Sequence, residues 1–286
     1  MIKKVTKAFG PITLSAFSLF ITFCLLQPFA CWLDPAFNLL SNRGIGKIAF
    51  TTLAILQIIL FLITLTPKFL KNFLKTNIYF FSEPNWIKKF LKLFILFFFL
   101  HALLLYFFWM SGYAVYNPDW GHFTFKLFLR ILFGFIVTFF LAWTEELIFR
   151  GTLFPYFEQT LSTFSSLIIT STIFMFVHDM KNPLNLITKN WNLGLGLFLL
   201  GLLLNLIFIK TKKLYTGMGV HAGLVFVKVI LRRTPLLIFL SANQIPFWVN
   251  KDLRMSILVH FLFLITIIIM IIKTRKELFS SPQNIF

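Results

Sequence analysis

The sequence predicts an all-α fold, a polytopic transmembrane helical bundle of about eight spans. Three observations predict it. Of 286 residues, 58% are hydrophobic, more apolar surface than a water-soluble domain can cover. The apolar residues fall into runs close to the length that spans a bilayer. The chain carries only nine Asp and Glu against 27 Lys and Arg, and the cations collect between the runs, as topology signals do. The same clustering argues against nucleic acid as a partner, because the net charge of +18 forms no separate basic domain.

Taken in order, the runs are Ile12–Trp32, Ile48–Leu65, Leu91–Met110, Phe125–Trp143, Phe164–Val177, Leu193–Ile209, Tyr215–Leu231 and Met255–Ile272. Cys24 and Cys31 both lie in the first, so no disulfide framework is indicated. Pro28 and Phe29 fit a lipoprotein cleavage site poorly, and the run is longer than a signal-peptide core; a retained helix is expected. The stretch Lys68–Lys92 is basic with interleaved aromatics and reads as an amphipathic segment on the cytoplasmic leaflet. The third run is a wall of Phe (Phe94, Phe97, Phe98, Phe99, Phe107, Phe108) in which His101 reads as packed or interfacial. The fifth and seventh runs are short and carry Ser, Thr, Gly and His, the composition of helices packed inside a bundle. Leu236–Trp248 reads as an apolar connector in the opposite interface. With the N-terminus inside, Lys and Arg favour the inner loops by about two to one. Both termini are therefore expected in the cytoplasm. Three regions are expected: 1–124 as an N-terminal membrane region, 125–231 as the functional core, and 232–286 as a connector with the last helix.

Glu145 and Glu146 close the fourth run. An ionised carboxylate at membrane depth costs several kcal/mol, so such a pair is either an interfacial cap or a functional site. Residues four apart share a helix face, whereas adjacent ones diverge by about 100°. Glu146 and Arg150 are thus a natural brace, and Glu145 is left as a candidate base. The midpoint between Glu145 and His178 falls near Leu161–Ser162, in the turn-like stretch Gln159–Ser166. An antiparallel hairpin there brings the two level, with Phe174 one turn beneath the imidazole. His221 lies among Gly217, Gly219 and Gly223, small residues that allow close backbone approach. A straight hairpin sets Glu145 and His178 about 25 Å from its turn, while His221 follows the Lys210–Lys213 loop by a few turns. The three meet only if the fourth and fifth helices project, bend or re-enter, and Gly151 and Pro155 are candidate bend points.

Glu145-Glu146-x-x-x-Arg150, Phe174-x-x-x-His178 and His221 at the start of a late run together resemble the three motifs of the CPBP family. These are the CAAX-prenyl-protease and bacteriocin-processing (Abi) intramembrane proteases. The resemblance covers roughly 125–231 and implies a helical bundle that hydrolyses a peptide bond of a membrane-associated, prenylated or otherwise processed substrate. It implies that Glu145 and His178 position a water. Members commonly carry Asn four residues after the third-motif histidine; here Val225 stands there. That departure leaves open a catalytically weak member that acts by binding, as an immunity or assembly factor. A transporter with Glu145 as an ion site is a third class, without the broken-helix repeats that would support it. No metal is expected, since no His-Glu-x-x-His pair is present; zinc held by Glu145, His178 and His221 is the alternative. The expected partners are the lipid bilayer and a membrane-associated peptide or protein, and the expected location is the bacterial inner membrane.

Overall fold

The computed structural model describes residues 83–118, 124–179, 182–234, 236–241, 244–250 and 252–279. The first two apolar runs, with Cys24 and Cys31, lie outside the described residues. So do Lys68–Ser82 of the basic segment. The described helices are α1 (Trp86–Met110), α2 (Phe125–Glu146) continued by a π-helical turn (Leu147–Leu153) and α3 (Phe154–Glu158), α4 (Thr163–Val177), α5 (Asn185–Thr188), α6 (Trp191–Thr211), α7 (Leu214–Arg233), α8 (Ile257–Lys273) and α9 (Arg275–Leu278). A short strand pair joins β1 (Ala114–Tyr116) to β2 (Leu237–Phe239).

Among the described residues, four helical segments are long and apolar enough to cross a membrane: Trp86–Met110, Leu127–Glu158, Trp191–Thr211 and Leu214–Leu231. Thr163–Val177 and Ile257–Lys273 are apolar but shorter. Exposed Ile95, Phe99 and Leu103 on α1, Phe133 and Phe140 on α2, and Phe261, Ile265 and Ile272 on α8 form the apolar outer face that a bilayer solvates. α6 is the central helix, buried around its whole circumference from Leu197 to Ile209, as expected of a helix apolar on every side.

Small residues set the closest packing. A Cβ added at Gly219 would lie 2.7 Å from the Phe90 carbonyl, and one at Gly223 would lie 2.5 Å from that of Phe94. α1 and α7 therefore run parallel, backbone against backbone, along a Gly-x-x-x-Gly stripe. Phe135 and Phe139 of α2 close the other side, edge-on to Phe94 and Phe90 at 5.2 and 5.4 Å. The chains leaving α1 and α7 then pair antiparallel, Ala114 opposite Phe239. α4 lies antiparallel to α6, with Ser171 against Gly201, after a turn capped by the Ser162 hydroxyl on the Ser165 N–H.

The fourth helix runs on past its apolar run to Glu158, as far as the turn expected at Gln159–Ser166, with Glu146 and Arg150 paired inside the bundle. Two expectations change. Lys88, Lys89 and Lys92 belong to the first turns of α1, not to a segment lying on the leaflet. Within the expected connector, Leu237–Phe239 forms a strand. The helix ends sort the charges. Glu83, Lys213 and Lys89 meet at one end, Lys213 Nζ lying 3.1 Å from Glu83. At the other end Asp252 pairs with Lys228 at 2.6 Å and Arg254 at 2.7 Å. Burial works to raise the Asp252 carboxyl, but Arg254 and then Lys228 outweigh it and hold it well below the ordinary carboxylate range.

Two outcomes follow from this packing. Gly223→Val forces the α1–α7 backbones apart and should destabilise the protein by about 1–3 kcal/mol, read as a lower Tm in detergent; an unchanged Tm contradicts the close approach. A lowered carboxyl stabilises the fold fully above its unfolded value, near 3.9, and that contribution is lost only as pH falls towards the folded value. The Tm penalty of Asp252→Asn should therefore be constant between pH 5 and 8; a penalty that vanishes by pH 5 contradicts the ion pairing.

Candidate functional site

The site forms where α2, its π turn, α4, α6 and α7 converge. A π turn inserts one residue into a helix and is frequent at functional sites. Here it has a local cause. Pro155 offers no N–H, and its ring crowds the carbonyl four residues back, at Gly151. Thr152 Oγ1 bonds the Leu147 carbonyl, five residues back, at 3.0 Å. The wider turn accommodates the proline without breaking the helix, so the chain passes Gly151 and Pro155 and still delivers Glu145, Glu146 and Arg150 to the interior.

Arg150 is wholly buried, and the groups around it are placed by sequence on three elements. Its Nη1 donates to Glu146 Oε1 at 3.1 Å, one helical turn back. Its Nε donates to Asn205 Oδ1 at 3.0 Å, and its Nη2 to the Gly201 carbonyl at 3.0 Å. Asn205 in turn donates to Ser171 Oγ at 3.0 Å. The guanidinium also stacks over the Phe174 ring, 4.9 Å from its centre, a cation–π contact that gains strength when desolvated. Glu146 Oε1 receives a second donor, His221 Nδ1 at 3.1 Å. A Cβ at Gly217 would fall 2.6 Å from Glu146 Oε2, so the glycine leaves room for the carboxylate.

Above this brace the structure brings together the three residues singled out from the sequence. Glu145 Oε2 lies 3.9 Å from His178 Nε2 and 3.7 Å from His221 Nε2. It is buried and has no hydrogen-bond partner. His178 Nδ1 bonds the Phe174 carbonyl at 2.7 Å, and Phe174 packs beneath its ring at 4.6 Å. A carbonyl only accepts, so Nδ1 carries the proton and the neutral ring turns its Nε2 lone pair to Glu145. His221 is held the same way, because the Glu146 oxygen that pairs with Arg150 takes its Nδ1 proton. Glu145 and His178 remain about one-fifth exposed while His221 and Glu146 are buried, so the site opens past the first two.

Sequence reasoning missed Asn205, Ser171 and Gly201. A lone amide in the run from Gly201 to Phe208 is the signal that was there, since a polar side chain at membrane depth needs a partner. Among the described residues, no group of three His, Cys, Asp or Glu is spaced to hold a metal ion.

Residues 126–227 match a family model described as Rce1-like, type II CAAX prenyl endopeptidase. The matched stretch holds all three motifs. No curated protein and no solved structure matches the chain.

Removing one partner of a buried ion pair leaves the other uncompensated and costs about 3–5 kcal/mol. Glu146→Ala and Arg150→Ala should each cost this much in thermal unfolding, and the double change should cost less than their sum. Strict additivity contradicts the brace.

Proposed function

From a chain whose core belongs to the CPBP/CAAX-protease family of membrane proteases, we infer that this integral membrane protein is itself a glutamate-dependent intramembrane endopeptidase. Its substrate is a membrane-associated, prenylated or otherwise processed peptide or protein. The single observation that carries the reading is the unpartnered Glu145 Oε2 between two imidazoles, 3.9 and 3.7 Å away. In this reading a water oxygen takes a position off the line joining Glu145 Oε2 and His178 Nε2, about 2.8 Å from each. There it donates one hydrogen to the carboxylate and one to the lone pair of His178, leaving its own lone pair free to attack a carbonyl carbon.

In the proposed reaction Glu145 takes the water's proton as the new C–O bond forms, and negative charge moves to the carbonyl oxygen. When the tetrahedral intermediate collapses, the C–N bond breaks and the proton on Glu145 passes to the leaving amine. A carboxyl terminus and an amino terminus result, and Glu145 returns to its starting state. His221 is the proposed donor to the oxyanion. For that its Nε2 must carry a proton, since the Nδ1 proton is held by Glu146. The reaction needs no metal. The end bearing Lys89, Lys210, Lys213 and the α8 terminus is proposed to face the cytoplasm of a bacterial inner membrane, with both chain termini on that side.

Glu145→Gln keeps the shape and removes the base. Purified in detergent, it should fold as wild type yet cleave a prenylated peptide at least a hundredfold more slowly; cleavage at the wild-type rate overturns the reading. Tight chelators should leave wild-type activity intact, whereas loss that zinc restores would favour a metal held by Glu145, His178 and His221. Val225, one turn beyond His221 on the same face, tests the departure from the family pattern. Val225→Asn adds a potential oxyanion donor, a group worth on the order of 3 kcal/mol where none exists. Turnover should rise by less than a hundredfold with little change in substrate binding. If Asn and Leu at this position behave alike, the oxyanion is not beside His221, and weight moves to a member that acts by binding.

A further inference from the structure

α4 is too short to cross a bilayer by itself. Its 15 residues rise about 22 Å, against a hydrocarbon core of about 30 Å. The register with α6 locates the shortfall. Ser171 lies against Gly201. α4 ends at Val177, six positions beyond Ser171, whereas α6 begins at Trp191, ten positions before Gly201. The last turn of α4 therefore stops about 6 Å inside the plane of Trp191. This is the strand-pair end of the bundle, where Gly196 packs against the Arg254 carbonyl. His178 sits at that step.

The chain from Asn182 to Trp191 covers the step, and it has two faces. It is shaped from within: the Asn182 N–H donates to Asp179 Oδ1 at 3.3 Å, Thr188 Oγ1 to the Leu184 carbonyl at 3.0 Å, and the Asn190 N–H to the Asn185 carbonyl at 2.6 Å. Inward, Leu186 of α5 is buried in the apolar cluster that contains Phe149, Phe174 and Leu197. Its carbonyl lies so close to Gly194 that any side chain there would collide with it. Outward, Leu184 is 69% exposed, Ile187 55% and Trp191 51%. A single exposed apolar side chain needs no explanation, but a contiguous patch marks a surface that is covered. This patch continues along the chain into exposed Val177 on α4 and Leu195 on α6.

The bilayer is the occupant that fits. Trp191 opens a helix long enough to span, the place where a membrane–water interface favours tryptophan. Lys189 between the apolar groups is exposed, and its stem can carry the ammonium up to the headgroups. A short element with such a face lies in the interface with its apolar side at the headgroup–acyl boundary. We propose that Asn182–Trp191 is a foot seated in the leaflet at the strand-pair end through Leu184, Ile187 and Trp191. Its seating, passed inward by Leu186 to the cluster around Phe174, holds His178 at the mouth of the site. The ring and the carbonyl of Phe174 are what His178 rests on, so the bilayer itself becomes a support of the catalytic geometry. Lifting the foot out of the leaflet loosens the end of α4 while α7, with His221, keeps its place.

Depth is measured on the full chain in phosphatidylcholine nanodiscs, with Cys24→Ser, Cys31→Ser and Ile187→Cys, the new thiol carrying the fluorophore NBD. Asn182→Cys, at the polar start of the foot, is the control. Lipid spin-labelled at carbon 5 should quench NBD at 187 about threefold more than at 182, and aqueous iodide should do the reverse. Equal access of iodide to both positions overturns the seating. Protection of 187 from iodide and lipid label alike means that protein, such as a second copy of the chain, covers the face, and overturns it as well. The relay is read by hydrogen exchange of the peptide 174–179, in which the His178 and Asp179 amides bond the Met175 and Phe176 carbonyls. Leu184→Ser with Ile187→Ser changes only exposed positions, so the Tm in detergent should stay that of wild type. Exchange of 174–179 in the nanodisc should nevertheless rise about tenfold, with α7 unchanged. Unchanged exchange, or a rise across every helix, overturns the relay. Neither readout needs catalysis, so the peptidase reading can fail while the foot stands.

Discussion

A fully buried guanidinium is the constraint on which the rest depends. Bringing Arg150 into an apolar bundle carries a desolvation cost of several kcal/mol that only close, well-aimed partners offset. The structure assembles them from α2, α4 and α6: Glu146, Asn205, the Gly201 carbonyl and the Phe174 ring. Each partner imposes a condition on its own helix. Gly201 lets α4 come close to α6, Gly217 makes room for Glu146, and Ser171 holds the amide of Asn205. One charge thereby fixes the register of helices distant in sequence.

The brace has a chemical consequence. Because Glu146 is committed to Arg150 and His221, Glu145 is the carboxylate left without a partner at the opening. Two adjacent glutamates take different roles because a helix points them to different sides. The aromatic ring of Phe174 serves both levels, with the Arg150 guanidinium 4.9 Å and the His178 ring 4.6 Å from its centre. Movement in the brace should be felt at the histidine through that ring and through the Phe174 carbonyl that orients its Nδ1.

Much of this was legible in the sequence for reasons that can be named. The level placement of Glu145 and His178 is arithmetic about a hairpin, and Ser162 does cap the second helix. The Glu146–Arg150 pair follows from helical spacing, and the small residues around His221 proved to be points of close approach, Gly219 and Gly223 to backbone and Gly217 to the Glu146 carboxylate. Hydropathy falls at Glu145 and Glu146, so the apolar run ends at Trp143, yet the spacing to Arg150 and the turn at Gln159–Ser166 already carry the helix on to Glu158. Asn205 was invisible to periodicity, since one amide in a Leu-rich helix has no repeat to announce it. The strand pair was missed because Leu237–Phe239 is as apolar as the helices around it. The π turn depends on how Pro155 is accommodated, which spacing alone does not determine.

Attack by a water held between Glu145 and His178 is the central claim, and isotope tracing in a single turnover tests it directly. Excess wild-type protein in detergent is mixed with a prenylated peptide in water enriched in oxygen-18, and the new C-terminus is weighed by mass spectrometry. Direct attack by water places one heavy oxygen in the product carboxylate during the first turnover. A product that carries only light oxygen would mean that a carboxylate of the protein had attacked the carbonyl and passed its own oxygen on, and that Glu145 does not act by activating water.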